Sequence, residues 1–126
     1  MGIPVTTAYD KVRRMEERGI IKGYAALLNE AEVNFRTTAL ILVSVGYPPG
    51  TEFSQEQVAE RLAAFEEITE IYIIAGDWDL MLKIKSQSIE DIGDFVIKQL
   101  RNIEGIAKTK TIAVFRKVKE TVSLPI

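Results

Sequence analysis

Cysteine and histidine are both missing from the 126 residues of this sequence. Without cysteine there are no disulfides and no thiolate metal sites. Without histidine the commonest general base and the commonest metal ligand are gone. No metal or cofactor is expected, and any catalysis would fall to carboxylates, lysines or tyrosines. Long apolar runs are lacking too: none approaches the ~20 residues of a membrane-spanning helix, and no basic segment followed by an apolar core opens the chain. A cytoplasmic protein with no membrane partner is expected. Neither sign of charge dominates, since 16 Lys and Arg stand against 18 Asp and Glu for a net charge of -2. That balance argues against a whole-surface attraction to nucleic acid and leaves room for a local basic face. What the chain does have is 47% hydrophobic and 27% charged residues, enough for one moderate core with an appendage.

The appendage comes first. Residues 3–19 predict a helix entered through Pro4, with Val5, Ala8, Val12 and Met15 spaced by three and four, and Gly19 placed where a left-handed terminal residue belongs. Its outward face carries Lys11, Arg13, Arg14 and Arg18 against Asp10, Glu16 and Glu17. One reading is a solvated face of ion pairs, each worth a few tenths of a kcal/mol. The other is a recognition helix, with Thr6, Thr7, Tyr9 and Asp10 reaching base edges while Lys11, Arg13 and Arg14 touch phosphate. A helix-turn-helix unit also needs an earlier helix packed on the second. Only Met1 and Gly2 precede this one in the sequence, so DNA contact is expected only where the two N-terminal helices are present. Residues 20–29 fit a short strand pair, or one strand leading away like the wing of a winged helix, and residues 29–36 a polar linker. The expected division is a partial winged helix-turn-helix over 1–28, a linker over 29–37 and a main domain over 38–126.

In that domain, residues 38–45 are apolar on both faces and predict a central strand, which Tyr47, Pro48, Pro49 and Gly50 bring to a stop. Ser54 and Gln57 form a capping box ahead of a stripe of Val58, Ala59, Leu62 and Phe65. Residues 69–75 and 80–84 read as strands of a hairpin around Gly76, Asp77, Trp78 and Asp79. Ser88 with Asp91 opens a last helix, with Ile89, Ile92, Val96, Leu100 and Ile103 inward and Gly105 at its end. A final strand over 107–118 sorts into two faces, one of them holding Ala107, Thr109, Thr111, Ala113 and Phe115. Strand, helix, strand, strand, helix, strand is the ferredoxin-like βαββαβ pattern, an α+β fold with both helices on one face of a four-stranded antiparallel sheet. The other face is expected to be greasy and uncovered within the chain, which favours sheet-to-sheet dimerisation.

Three stretches then carry a resemblance: Arg14-Met15-Glu16-Glu17-Arg18-Gly19-Ile20-Ile21 ahead of Gly23-Tyr24, the Gly76-Asp77-Trp78-Asp79 turn, and Thr109-x-Thr111. In this order and spacing, from Gly2 to Glu120, the sequence resembles the leucine-responsive regulatory protein / asparagine-operon regulator (Lrp/AsnC) family of transcription regulators. Its second part is similar to that family's domain for regulation of amino-acid metabolism. The resemblance implies binding of an amino acid or related metabolite, and homodimers that associate into tetramers or octamers. It also implies an effector pocket between dimers, lined by the hairpin turn of one subunit and the threonine-bearing strand of a neighbour. The family's first two helices have no counterpart in this sequence. Trp78 stands where Tyr is common, and Lys11 where Arg is usual, which keeps charge but not bidentate geometry.

The residue types suit such a ligand. Asp77 and Asp79 can accept from an ammonium, backbone N–H groups around Gly76 and the hydroxyls of Thr109 and Thr111 can serve a carboxylate, and Trp78 offers a flat wall. The plainer reading is that the aspartates cap a turn, the indole packs on a neighbour and the threonines are ordinary strand formers. Two other functions fit less well. A stand-alone metabolite sensor would act through partner regulators. A cofactor-free oxygenase-type enzyme would have to use Tyr24, Tyr47 or Tyr72, and no spacing gathers an acid and a base on one face. No catalytic residue is expected.

Overall fold

The computed structural model describes residues 5–46 and 54–125, excepting the side chains of Val5 and Thr6. Ile3, Pro4 and the Tyr47 to Gly50 chain stop lie outside the described residues. In chain order the elements are α1 (Val5–Glu17), β1 (Thr37–Val45), α2 (Gln55–Leu62), β2 (Ile68–Ile73), β3 (Leu80–Ser86), α3 (Ile89–Lys98) and β4 (Ile106–Ala113). Short 3-10 turns cover Glu30–Val33 and Leu100–Asn102. The strands form one antiparallel sheet in the order β2-β3-β1-β4, the ferredoxin-like arrangement.

Local chemistry starts each helix of this domain. Ser54 accepts from the Gln57 N–H while the Gln57 side chain accepts from the Ser54 N–H, and Ser88 accepts from the Asp91 N–H. These bonds satisfy N–H groups that a helix start leaves without partners. Tertiary burial does the rest. Ala39, Ile41 and Val43 of β1, Leu80, Leu82 and Ile84 of β3, Val58 and Leu62 of α2, and Ile92, Phe95 and Val96 of α3 join one buried cluster. Because alternate strand residues share a face, both helices cover the same side of the sheet. Phe65 and Phe95 meet edge to face at 5.3 Å, a favoured aromatic geometry.

Several expected boundaries shift, each for a physical reason. Residues 22–29 form no strand, because no neighbouring strand pairs with them. The final strand stops at Ala113, not Val118. Its partner β1 begins at Thr37, and the Val114 N–H to Thr38 carbonyl bond is the last that β1 can supply. The last helix ends at Lys98 and passes into the 3-10 turn, so Gly105 sits in the loop before β4 rather than at a helix end. Ile89 is half exposed instead of inward, one turn beyond the end of the buried stripe, in which Phe95 takes part.

The uncovered sheet face also needs correction. Lys83 and Lys85 of β3 point to that side, and two chain segments reach across to them. Glu30, in the 3-10 turn before β1, pairs with Lys85 and Lys117. Glu120, in the chain after β4, pairs with Lys83 and lies 3.6 Å from Lys85 and 3.8 Å from Lys117, while Glu70 of β2 lies 3.7 Å from Lys83. Hydrogen bonds from Lys117 and Lys85 hold the Glu30 carboxyl below the usual range. Lys83 does the same for Glu120, and the Glu120 partner raises the Lys83 ammonium. One end of the face is therefore tied down by charge. The remainder, with Leu40, Leu42 and Met81 half-buried and Tyr72 and Ile112 exposed, stays apolar.

Candidate functional site

Two regions hold the residues singled out by sequence. The first is α1. It ends in a Schellman motif: the Gly19 N–H bonds the Glu16 carbonyl at 3.1 Å and the Ile20 N–H bonds the Met15 carbonyl at 2.8 Å, with Gly19 at φ +72°. Thr7, Tyr9, Lys11, Arg13 and Arg14 are all exposed along it, whereas the Thr6 side chain lies outside the described residues. Arg13 is 3.6 Å from Glu17 one turn away, the kind of exposed pair that contributes little. Its apolar stripe is equally open: Ala8 is exposed and Val12 is 41% exposed. Tyr24 donates to Glu16 at 2.6 Å, and that bond raises the phenol above its ordinary value.

The second region is the connection between β2 and β3, residues 74–79, closed by a 2.9 Å bond from the Ile74 N–H to the Asp79 carbonyl. Gly76 sits at φ +121° with nothing within 4 Å of where a Cβ would stand, so backbone conformation rather than crowding requires glycine there. The two aspartates have different surroundings. Asp77 is exposed. Asp79 turns inward: its Oδ2 accepts from the Val45 N–H at 2.7 Å, its Oδ1 accepts from the Gln55 side-chain amide at 2.7 Å, and its own N–H donates to the Val43 carbonyl at 3.0 Å. Asp79 thus pins the hairpin to the end of β1 and the first turn of α2.

Trp78 points the other way and forms one wall of a cleft of about 390 Å³, completed by Arg101, Ile106, Ala107, Lys108 and Thr109. That volume lies at the small end of the ~300–1,000 Å³ typical of ligand sites. The cleft brings together Trp78 and Thr109 from the expected set. Gly76, Asp77, Asp79 and Thr111 do not line it. Sequence reading missed Arg101 and Lys108: one follows a helix and the other sits in a strand, and neither position has a spacing signal. It also missed Gln55, whose part depends on a hairpin 24 residues away.

β4 is an edge strand, so half of its peptide groups have no ladder partner. The Val114 N–H donates to Thr38 and Leu42 pairs with Lys110. The alternation of an antiparallel ladder then turns the peptide groups of Thr109 and Thr111 toward the free edge. The cleft therefore combines an indole face, a hydroxyl, two cations and an unpaired strand edge. Among the described residues there is no group of His, Cys, Asp and Glu that suits a metal ion, and no helix is long and apolar enough to cross a membrane.

Residues 38–124 match the Lrp/AsnC ligand binding domain. The chain belongs to the Lrp/AsnC family. Members of the Lrp/AsnC family are transcription regulators rather than enzymes, and the relatives bear that out. An HTH-type transcriptional regulator of Pyrococcus abyssi is 40% identical over 122 residues, covering 97% of this chain and 80% of its own length. The leucine-responsive regulatory protein of Rhizobium meliloti is 27% identical over 126 residues, covering 100% of this chain and 80% of its own. Among solved structures, an AsnC family transcriptional regulator from Agrobacterium tumefaciens superposes with a TM-score of 0.85 at 25% identity, over 98% of this chain and 79% of that one. A transcriptional regulator from Neisseria meningitidis, solved as its L-methionine complex, gives 0.84 at 25% identity, over 94% of this chain and 75% of that one.

Proposed function

We propose that this Lrp/AsnC protein is an amino-acid-responsive regulator whose effector site is the cleft between Trp78 and β4, completed where one dimer meets another. The observation that carries the reading is the meeting of the hairpin-turn Trp78 with Thr109 of the free-edged strand across a small cleft. The L-methionine bound by the Neisseria relative supports the ligand class. The exposed Asp77, next to Trp78 in the turn, is the acceptor for an ammonium, since both Asp79 oxygens already receive hydrogen bonds. Dimers form through the apolar part of the open sheet face, around Leu40, Leu42 and Met81, and associate further into tetramers or octamers. An effector held only where dimers meet shifts that assembly by its differential affinity. Calorimetric titration of an amino-acid panel, with size-exclusion chromatography with and without ligand, tests this. Trp78→Ala is expected to abolish binding and the ligand-dependent shift in size, and an unchanged affinity would remove the cleft from the site.

DNA contact by α1, through Thr6, Thr7, Tyr9, Lys11, Arg13 and Arg14, requires a helical partner on the exposed stripe of Ala8 and Val12. A gel-shift comparison of this chain with one extended by the first helices of a relative tests it, and binding by both forms equally would overturn it. The same open stripe favours a second reading, a metabolite sensor acting through mixed oligomers with DNA-binding relatives.

A further inference from the structure

We infer that the cleft selects a ligand with two carboxylates, an acidic amino acid or its amine-free analogue, over a neutral amino acid. The inference rests on the effector reading above and adds the ligand's charge. The groups that line the cleft include two cations, Arg101 and Lys108, and no carboxylate. Neither cation has an ion-pair or hydrogen-bond partner among the described residues. Both are exposed, so their charge is available to an incoming anion without breaking an existing pair. Arg101 stands on the 3-10 turn after α3 and Lys108 on β4, so the two approach the cleft from separate elements.

A neutral amino acid carries one carboxylate. It would satisfy one cation and leave its side chain against the other. A ligand with carboxylates at both ends meets both, with guanidinium offering the planar fork that binds a carboxylate through two parallel bonds and ammonium a single point charge. The Thr109 hydroxyl and its edge-facing N–H add uncharged donors for the same oxygens. Asp79 is not among the lining residues, and its oxygens accept from the Val45 N–H and the Gln55 amide. Asp77 lies outside the lining and suits the ammonium of an acidic amino acid. The Trp78 face and Ile106 flank the short methylene chain between the two carboxylates.

Isothermal titration of the full chain with L-glutamate, L-glutamine, 2-oxoglutarate and L-methionine tests the inference. Glutamate and glutamine have nearly the same shape and differ in one charge. Glutamate or 2-oxoglutarate is expected to bind at least about tenfold more tightly than glutamine, the ratio that one hydrogen bond to a charged group supplies. Arg101→Gln is expected to remove that advantage while leaving the thermal melting curve in place, since the side chain is exposed, and Lys108→Met should reduce it. Binding of glutamate alone assigns an acidic amino acid, and binding of 2-oxoglutarate with equal or greater affinity assigns the amine-free acid. Glutamine or methionine binding as tightly as the dicarboxylates would overturn the inference and leave the effector site standing. No heat with any of the four, and none with the rest of the amino-acid panel, would overturn both.

Discussion

α1 and α3 are both amphipathic helices, of 13 and 10 residues, and the protein treats them in opposite ways. α3 lays Ile92 and Val96 on the sheet, where they are 1% and 4% exposed, whereas Val12 of α1 remains 41% exposed. A helix of about a dozen residues is marginal alone. Capping and periodicity locate both helices, but only burial stabilises one of them. The difference teaches that an apolar stripe specifies where a partner belongs without supplying it.

The largest expected effect tests this contrast directly. Ile92→Ala should cost about 2–5 kcal/mol, the range for emptying a packed core site. Val12→Ala should change global stability by less than ~0.5 kcal/mol, as at other open positions. Urea unfolding of both variants measures the gap, and similar losses would mean that α1 is packed in solution. Smaller effects are expected at the hairpin turn, which repeats the contrast among polar groups. Asp79→Ala strips the part-buried Val45 N–H of its acceptor and should cost about 1–3 kcal/mol. Asp77→Ala, at an exposed position, should leave the thermal midpoint unchanged while weakening amino-acid binding. Equal thermal shifts for the two would erase the distinction between holding the turn and meeting the ligand.

The smallest effect concerns the charged seam where the N-terminal arm does touch the sheet. The Glu30 and Glu120 carboxyls are lowered in the folded chain. Their contribution is fully present above the ordinary carboxylate range and is lost as pH falls through the lowered values. Lys83 is raised, so its contribution is full below the ordinary lysine range and is lost as pH rises through the raised value. Thermal midpoints followed from neutral into acid conditions should fall less steeply for Glu30→Gln than for the parent chain, and the difference should shrink with added salt. Parallel curves would detach Glu30 from the seam.

Much of the sheet domain was legible because its signals are local and agree with one another. Ser54 with Gln57, Ser88 with Asp91, and the alternation of Leu80, Leu82 and Ile84 each name an element and a face. What the sequence concealed depends on neighbours that only the fold supplies. β4 stops at Ala113 although the β-forming pattern runs on, because β1 begins at Thr37 and the last bond it makes along this edge is the one the Thr38 carbonyl accepts from the Val114 N–H. Asp79 and Asp77 look alike in a turn motif, and only the approach of Val45 and Gln55 separates them. Trp78 and Thr109 were marked by their chemistry, whereas Arg101 and Lys108 looked like ordinary surface charge until the cleft placed them opposite the indole. The open sheet face read as bare because Glu30 and Glu120 belong to segments with no regular pattern.

The pairing of Lys117 with Glu30 closes a ring spanning 87 positions of sequence. In an unstructured chain, drawing such distant points together costs substantial configurational freedom. Here β1 pairs with both β3 and β4, so the sheet has already met that cost before the charges meet. A modest attraction is then enough to keep the arm and the tail side by side.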